Sequence, residues 1–396
     1  MLEARFCGIG RRWPLIFRPI CLFCMTVAIS QTQSPPPLIP QGDYVKTLRP
    51  HLPEAAFQPD ASKFVLLLIN LAILGLGWAM AARFDHWPAW AIALFLPLSL
   101  VMGNSVVVLL FTSHDLLHGS AVRQTKFTDA IAFLALTVMW MPPTLWKSLH
   151  NRVHHSNTNA IADPDRNYRH DDPFTWGKWI QNAYTPSNTV SPIGFVLGMT
   201  MAWGVYAFRN ITAVVFFNRE GLAYVPASFA VSEAKRRAIA VEWVAMMAIH
   251  LGIMAALHFN PLALALAYFL PIGLGYAGVI GYIYTNHLVS PMMEVNDPLA
   301  NSISLKLPKI LDVLHCNFSY HAEHHIFPSI NSDYYPQVRE LIQQHYPDRM
   351  GYLRSGGAVW RSLLSTPRHY ANETTLTTWE GDQVAPCLTL EDGAEG

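Results

Sequence analysis

Residues 88–118 read PAWAIALFLPLSLVMGNSVVVLLFTSHDLLH. The 26 positions of 88–113 hold no Asp, Glu, Lys or Arg. At 1.5 Å per residue they are long enough to cross the roughly 30 Å hydrocarbon core of a bilayer, so the run predicts a membrane-spanning helix. It ends on His114-Asp-Leu-Leu-His118. Two imidazoles at i and i+4 share one helix face, a turn apart. A span that delivers two metal-capable side chains to a membrane surface frames the rest of the chain.

Three more segments match it. Residues 63–82 are apolar beyond Lys63, and only 83–87 separate them from the first run, which predicts a tight hairpin. Residues 238–259, carrying Glu242 and His250, and 261–285 form a second pair joined by a very short loop. Two hairpins with short outer loops put the other polar segments on one side. Arg123, Lys126, Lys147, Arg152, Arg166, Arg169, Lys178, Arg209, Arg219, Lys235, Arg236, Arg237, Lys306 and Lys309 all fall there. The positive-inside rule makes that side cytoplasmic. Residues 130–146, broken by Pro142-Pro143, and 190–217 are read as helices lying in the interface or packed on the cytoplasmic domain.

Composition agrees. The chain has 396 residues, 52% of them hydrophobic. Charged residues make up 14%, against roughly 25% in an ordinary soluble domain. Mean hydropathy is +0.22. These figures exclude a disordered chain and argue against a simple soluble domain. Lys+Arg and Asp+Glu are both 27, so no global basic field exists to recruit nucleic acid. Five scattered cysteines are not a disulfide framework. Cys21-Leu-Phe-Cys24 lies in an apolar stretch and is read as chance spacing. The membrane domain is expected over 44–365. Residues 1–43 read as a leader or linker: Arg11, Arg12 and Arg18 precede a short apolar run, then a Pro-rich stretch follows. A signal-like leader, an in-plane anchor and an upstream translation start all fit. Residues 366–396 read as a polar, loosely ordered tail.

Histidine is the outlier: ten of the 17 fall in 114–118, 150–155 and 287–325. After the HDLLH window comes His150-Asn-Arg-Val-His154-His155, in which 150 and 154 pair at i and i+4 and 155 points toward a neighbouring ion. The third is His321-Ala-Glu-His324-His325, where i, i+3 and i+4 share a side. His287 follows the fourth span, and His315 is a tenth candidate. His51, His86, His345 and His369 read as surface or hydrogen-bonded core residues, as do His250 and His258. Eight or nine imidazoles exceed the four ligands of one zinc ion and fit two ions. With thiolates absent and Cys316 the only cysteine nearby, a di-iron centre is the most economical reading. Asp115, Asp163, Asp165, Asp297 and Glu323 are candidates to accept the ligands' second N–H. The spacing leaves open which histidine serves which ion.

These residues resemble the membrane-bound fatty acid desaturase superfamily. The resemblance covers about 60–350 and rests on HDLLH at 114–118, HNRVHH at 150–155 and HCNFSYHAEHHIFP at 315–328. It implies an all-α integral membrane fold: two transmembrane helical hairpins and a cytoplasmic helical cap that holds a histidine-ligated di-iron site. Its ligands map onto His114, His118, His150, His154, His155, His321, His324 and His325, with Asn286 and His287 as the pair after the fourth span. His315 is expected behind the ligands. The implied cofactors are two Fe2+ ions, with O2 as co-substrate. The implied reaction inserts a C=C bond into an acyl-lipid or acyl-thioester. No His-Pro-Gly-Gly stretch marks a fused cytochrome b5 domain, so electrons would come from a separate ferredoxin or cytochrome b5. No side chain beyond the metal ligands is needed for catalysis. Trp140, Trp146 and Trp176 read as interface anchors or, alternatively, as the lining of a substrate tunnel. Hydroxylation, ketolation and decarboxylation to an alkene remain competing reactions on the same scaffold. A metal transporter is a distant alternative, because its ligands would sit inside the spans.

Overall fold

The computed structural model describes residues 36–123, 125–218 and 229–393. The leader-like stretch, its cysteine pair and Arg219 lie outside the described residues. A short helix, α1 (Gln41–Leu48), is followed by α2 (Ala61–Ala81) and α3 (Ala89–His118). The Asp60 carboxylate caps α2 by accepting from Ser62 N–H. Gly119, at φ +81°, ends α3 immediately after His118. Left-handed backbone there suits glycine, and it turns the chain off the helix axis at that histidine.

Next come α4 (Lys126–Thr137), started by a Thr125/Thr128 capping box, and a π-helical turn over Lys147–His154. Then follow α5 (Trp176–Tyr184), α6 (Pro192–Thr212), α7 (Glu233–Ala256) and α8 (Pro261–His287). Among the described residues, α2, α3, α7 and α8 are long and apolar enough to cross a membrane. The protein is an integral membrane protein, mostly helical. The 18-residue apolar window of α3 is 61% buried and that of α7 only 22%, so α3 is the central helix and α7 faces outward.

Helix α3 packs against both α2 and α8. Its approach to α8 depends on missing side chains. A Cβ at Gly278 would lie 2.6 Å from Val107 Cγ2, and one at Gly103 would lie 2.8 Å from Leu274 Cβ. One at Gly275 would collide with Val106. Small residues let apolar helices gain dispersion contact where lipid competes equally for apolar surface. The crossing fixes His114 and His118 relative to His287.

The two ambiguous apolar segments are not among the four long apolar helices. The first breaks at Trp140, with φ +51°, and restarts at Pro143. The second is α6, whose Trp203, Ala207 and Asn210 are buried while Ile193, Val196, Leu197, Met201 and Phe208 form an exposed apolar stripe.

The remaining chain covers the ends of α3 and α8. Strand β1 (Ser304–Lys306) pairs in parallel with β2 (Leu353–Ser355), and α9 (His321–Ile326), α10 (Tyr335–His345) and α11 (Gly356–Ser365) lie around them in sequence. Helix α1 is tied down by Asp297, which accepts from Ile39 N–H, Tyr44 O–H and the Arg349 guanidinium. Gln41 Nε2 donates to His325 O at 2.7 Å, so α1 also touches the backbone of α9. The expected loose tail is corrected. β3 (His369–Asn372), β4 (Thr375–Thr377) and β5 (Val384–Pro386) form an antiparallel sheet. Tyr370 O–H and Leu388 N–H donate to Ser290 O and Val289 O, the backbone just beyond α8. Arg368, buried, donates to four carbonyls, of Pro186, Leu288, Leu363 and Thr366.

Candidate metal centre

The C-terminal ends of α3 and α8, the π-helical turn and α9 bring nine histidines together in two groups. One holds His114, His118, His150, His155 and His324. The other holds His154, His287, His321 and His325. Within each group one ring nitrogen per residue lies within 4.8 Å of all the others. Several Nε2 atoms meet more closely: His114 to His324 at 3.0 Å, His155 to His324 at 3.1 Å, His155 to His150 at 3.2 Å, His287 to His321 at 2.7 Å. Ligands about 2.1 Å from one ion lie roughly 3 Å apart, so this spacing suits a shared cation.

The pairing within the second window differs from the helical expectation. His150 and His154 fall in different all-histidine groups, whereas His150 and His155 share one. The cause is the π-helical turn. His155 N–H donates to His150 O, so residues five apart, not four, come into register. The spacing of α9 behaves as ordinary helix: His321 and His325 share the four-member group, and His324 turns to the other.

Four of the second nitrogens are anchored by side chains. Asp115 accepts from His114 Nδ1 at 3.1 Å, and both Asp163 oxygens lie 3.1 Å from His154 Nδ1. His324 Nδ1 is 2.9 Å from Tyr335 OH, and His325 Nδ1 is 3.2 Å from Thr158 Oγ1. Such partners fix tautomer and ring angle, leaving the Nε2 lone pair inward. Asp165 stands 3.5 Å from His154 and joins His150 and His154 in a third, overlapping group. Asp297 and Glu323, expected beside the ligands, are corrected: neither touches a histidine ring. Asp297 holds Tyr44 and Arg349. Glu323 accepts from Ser304 O–H, Arg339 Nε–H (2.6 Å) and Tyr352 O–H (2.9 Å).

Burial, and then the neighbouring imidazoles, push His150, His155, His321, His324 and His325 well below the ordinary histidine pKa. They are neutral at pH 7, as metal ligands must be. Burial acts the same way on His154, but Asp163 and Asp165 outweigh it and push its pKa up to about 9, so a metal bound there would displace a proton from this ring. Among the described residues, His118 Nε2, Nδ1 of His155 and His321, and both amide atoms of Asn286 are buried without a hydrogen-bond partner. Buried polar groups are normally paired, and a cation would satisfy the His118 nitrogen. Cys316 is no thiolate: burial pushes its thiol up to about 12, and it belongs to neither group. The residues present therefore fit histidine-bound metal.

The other histidines have ordinary partners. His315 lies outside both groups, bonded to Tyr282 OH (2.9 Å) and Asn104 Oδ1 (3.1 Å). His250 stacks on Trp140 at 4.0 Å and bonds Thr137 O and Tyr268 OH.

A cavity with about 1170 Å3 of free space, including its open mouth, runs up to the cluster. His114, His150, His154, His287 and His321 form its floor, and Trp146, Trp203, Ile280, Ile283 and Phe318 line its walls. Trp176 lines it too, whereas Trp140 borders a separate apolar cavity among α6, α7 and α8. Trp203 was missed in the sequence, where it sits unremarked in an apolar helix; it packs 6.0 Å from Trp146, which stacks on His150 at 4.4 Å.

Known proteins resemble the chain over this architecture. The acyl-lipid (7-3)-desaturase of Rebecca salina is 23% identical over 282 residues, which cover 65% of this chain and 59% of that relative. The family model described as fatty acid desaturase matches residues 85–356, a stretch that contains all nine clustered histidines. With well over half of its length matched by that model, the chain belongs to the fatty acid desaturase family.

Proposed function

We propose that the protein is an oxygen-dependent acyl-lipid desaturase with two iron ions at the histidine cluster. The observation that carries this reading is the convergence of nine imidazoles in groups of five and four, five of the rings lining a largely apolar cavity. His114, His118, His150, His155 and His324 would hold one ion, and His154, His287, His321 and His325 the other. Bound there, iron would supply O2 activation and removal of hydrogen from an unactivated methylene.

The chain's own residues do the rest. The Asp115, Asp163, Tyr335 and Thr158 partners hold the rings in the tautomer that presents Nε2 inward. Trp146, Trp203 and Phe318 give the hydrocarbon an apolar wall and keep bulk water from the reacting carbon. No acid or base in the cavity is required. The distribution of Arg and Lys supports a cytoplasmic site beneath two membrane hairpins, reached by a separate ferredoxin or cytochrome b5. The acyl-lipid choice follows the relative's name and the membrane setting.

Lipid profiling tests the reading. The chain is expressed in a desaturase-deficient host with ferredoxin or cytochrome b5, beside His324→Ala. A new monoene or diene that disappears in the variant is expected. A hydroxylated, keto or chain-shortened product would keep the metal centre and overturn desaturation.

A further inference from the structure

The cavity is not apolar throughout. Trp203, Tyr206 and Arg209 line it along successive turns of α6. Trp203 stands beside Trp146 at the histidine floor, and Arg209 is six residues further on, about 9 Å along the helix. Arg209 is 9% exposed. Its Nη2 donates to Pro164 O at 3.2 Å, and its Nη1 lies 3.5 Å from Tyr168 OH. Its Nε–H is buried with no acceptor among the described residues. Arg166, on the same wall, is paired with Asp172 at 3.3 Å. No carboxylate oxygen among the described residues is within 4.0 Å of Arg209. Asp165 lies within electrostatic range, but its oxygens face Tyr206 O–H at 2.7 Å and His154 Nδ1 at 3.5 Å.

A guanidinium buried with one donor unsatisfied is costly unless something else completes it. Arg209 lines the cavity, and its planar guanidinium is suited to an oxygen acceptor. We propose that Arg209 is the head-group subsite of the cavity. Its guanidinium donates to the carboxylate or carbonyl oxygen of an acyl ligand whose hydrocarbon runs past Trp203 and Trp146 to the histidines. This rests on the acyl-substrate reading above and adds where the polar end is held.

Tryptophan on the cavity wall supplies a readout that needs neither iron nor turnover. Metal-free protein in detergent is titrated with 9,10-dibromostearate, its methyl ester, and 9,10-dibromooctadecane, and quenching of tryptophan fluorescence is followed. Arg209→Gln and Arg209→Met are each compared with wild type. Either folded variant should bind the acid about tenfold more weakly and the dibromoalkane unchanged. Loss for both acid and ester identifies the carbonyl oxygen as the acceptor; loss for the acid alone identifies the carboxylate. Equal affinity for the acid in wild type and variant, or equal loss for the alkane, overturns the subsite. In wild type itself, removing the oxygens should weaken binding by a similar factor once corrected for partition into detergent. Lack of that preference overturns the proposal even if neither variant folds. Absence of quenching by every probe in wild type would instead strike at the acyl-substrate reading.

Discussion

Asp163→Asn should weaken one metal site and spare the other. Asp163 is fully buried. Its two oxygens serve three donors: His154 Nδ1–H, Asn159 N–H at 2.7 Å and Asp165 N–H at 2.9 Å. Asparagine keeps one oxygen and replaces the other with an NH2 group. The two backbone donors sit on different oxygens, so the NH2 group faces one of them as well as the His154 ring. Without a carboxylate behind it the imidazole is held less firmly and is a weaker electron donor to a cation shared with His287, His321 and His325. Loss of such a partner typically costs 10–100-fold in metal affinity, about 1.4–2.7 kcal/mol. The five-member group has its own supports in Asp115 and Tyr335 and should be unaffected. Cobalt titration of metal-free protein, read by visible absorption, resolves the two sites, with His321→Ala identifying the four-member one. Equal weakening of both sites by Asp163→Asn, or of neither, would refute the division into five and four.

Three further outcomes are expected. Gly278→Val should separate α3 from α8 and destabilise the protein by roughly 1–3 kcal/mol, read as a fall in the thermal midpoint of detergent-solubilised protein; an unchanged midpoint would mean the crossing relaxes freely. Glu323→Ala leaves the mostly buried Arg339 guanidinium without its ion-pair partner and should cost about 3–5 kcal/mol, while Glu323→Gln, which can still accept one bond, should cost less in the same assay. Burial, reinforced by Lys178, lowers the pKa of His369 to about 4. A histidine neutral when folded and near 6.5 when unfolded gives full stability above pH 6.5, lost as pH falls toward 4, by up to roughly 3 kcal/mol. Hydrogen-exchange protection factors in β3–β5, corrected for the intrinsic pH dependence of amide exchange, should therefore fall between pH 6.5 and 4.5, and His369→Asn should flatten that dependence.

The sequence displays the spans and the histidine windows because both are local patterns: charge-free length, and imidazoles at helical spacing. It does not display the sorting of ligands between two groups. That depends on the one-residue change of phase in Lys147–His154, and a π-helical turn leaves no period in eight residues that separates it from α-helix. Glu323 is misjudged for a related reason. Position alone puts it among ligands, but on α9 it faces away from Nε2 of His321 and His324 and toward β1, Arg339 and Tyr352. The C-terminal sheet escapes a polarity-based reading because its strands are three or four residues long and are held by backbone donors and by Arg368, not by an apolar stripe. His250 shows the opposite case: an ionisable residue in an apolar helix whose bonds to Thr137 and Tyr268 account for it without any ion.

The five-and-four division also imposes an order in time. A ribosome makes His114, His118, His150 and His155 early, so four of five members of one group exist while the second half of the chain is still unsynthesised. The other group has only His154 at that stage; His287, His321 and His325 follow, and Tyr352, which steadies α9 through Glu323, comes later still. On the proposed two-ion reading, four of the five ligands of one ion precede the second half of the chain and three of the four ligands of the other follow it, so metal supply during translation and after release would be felt at different sites.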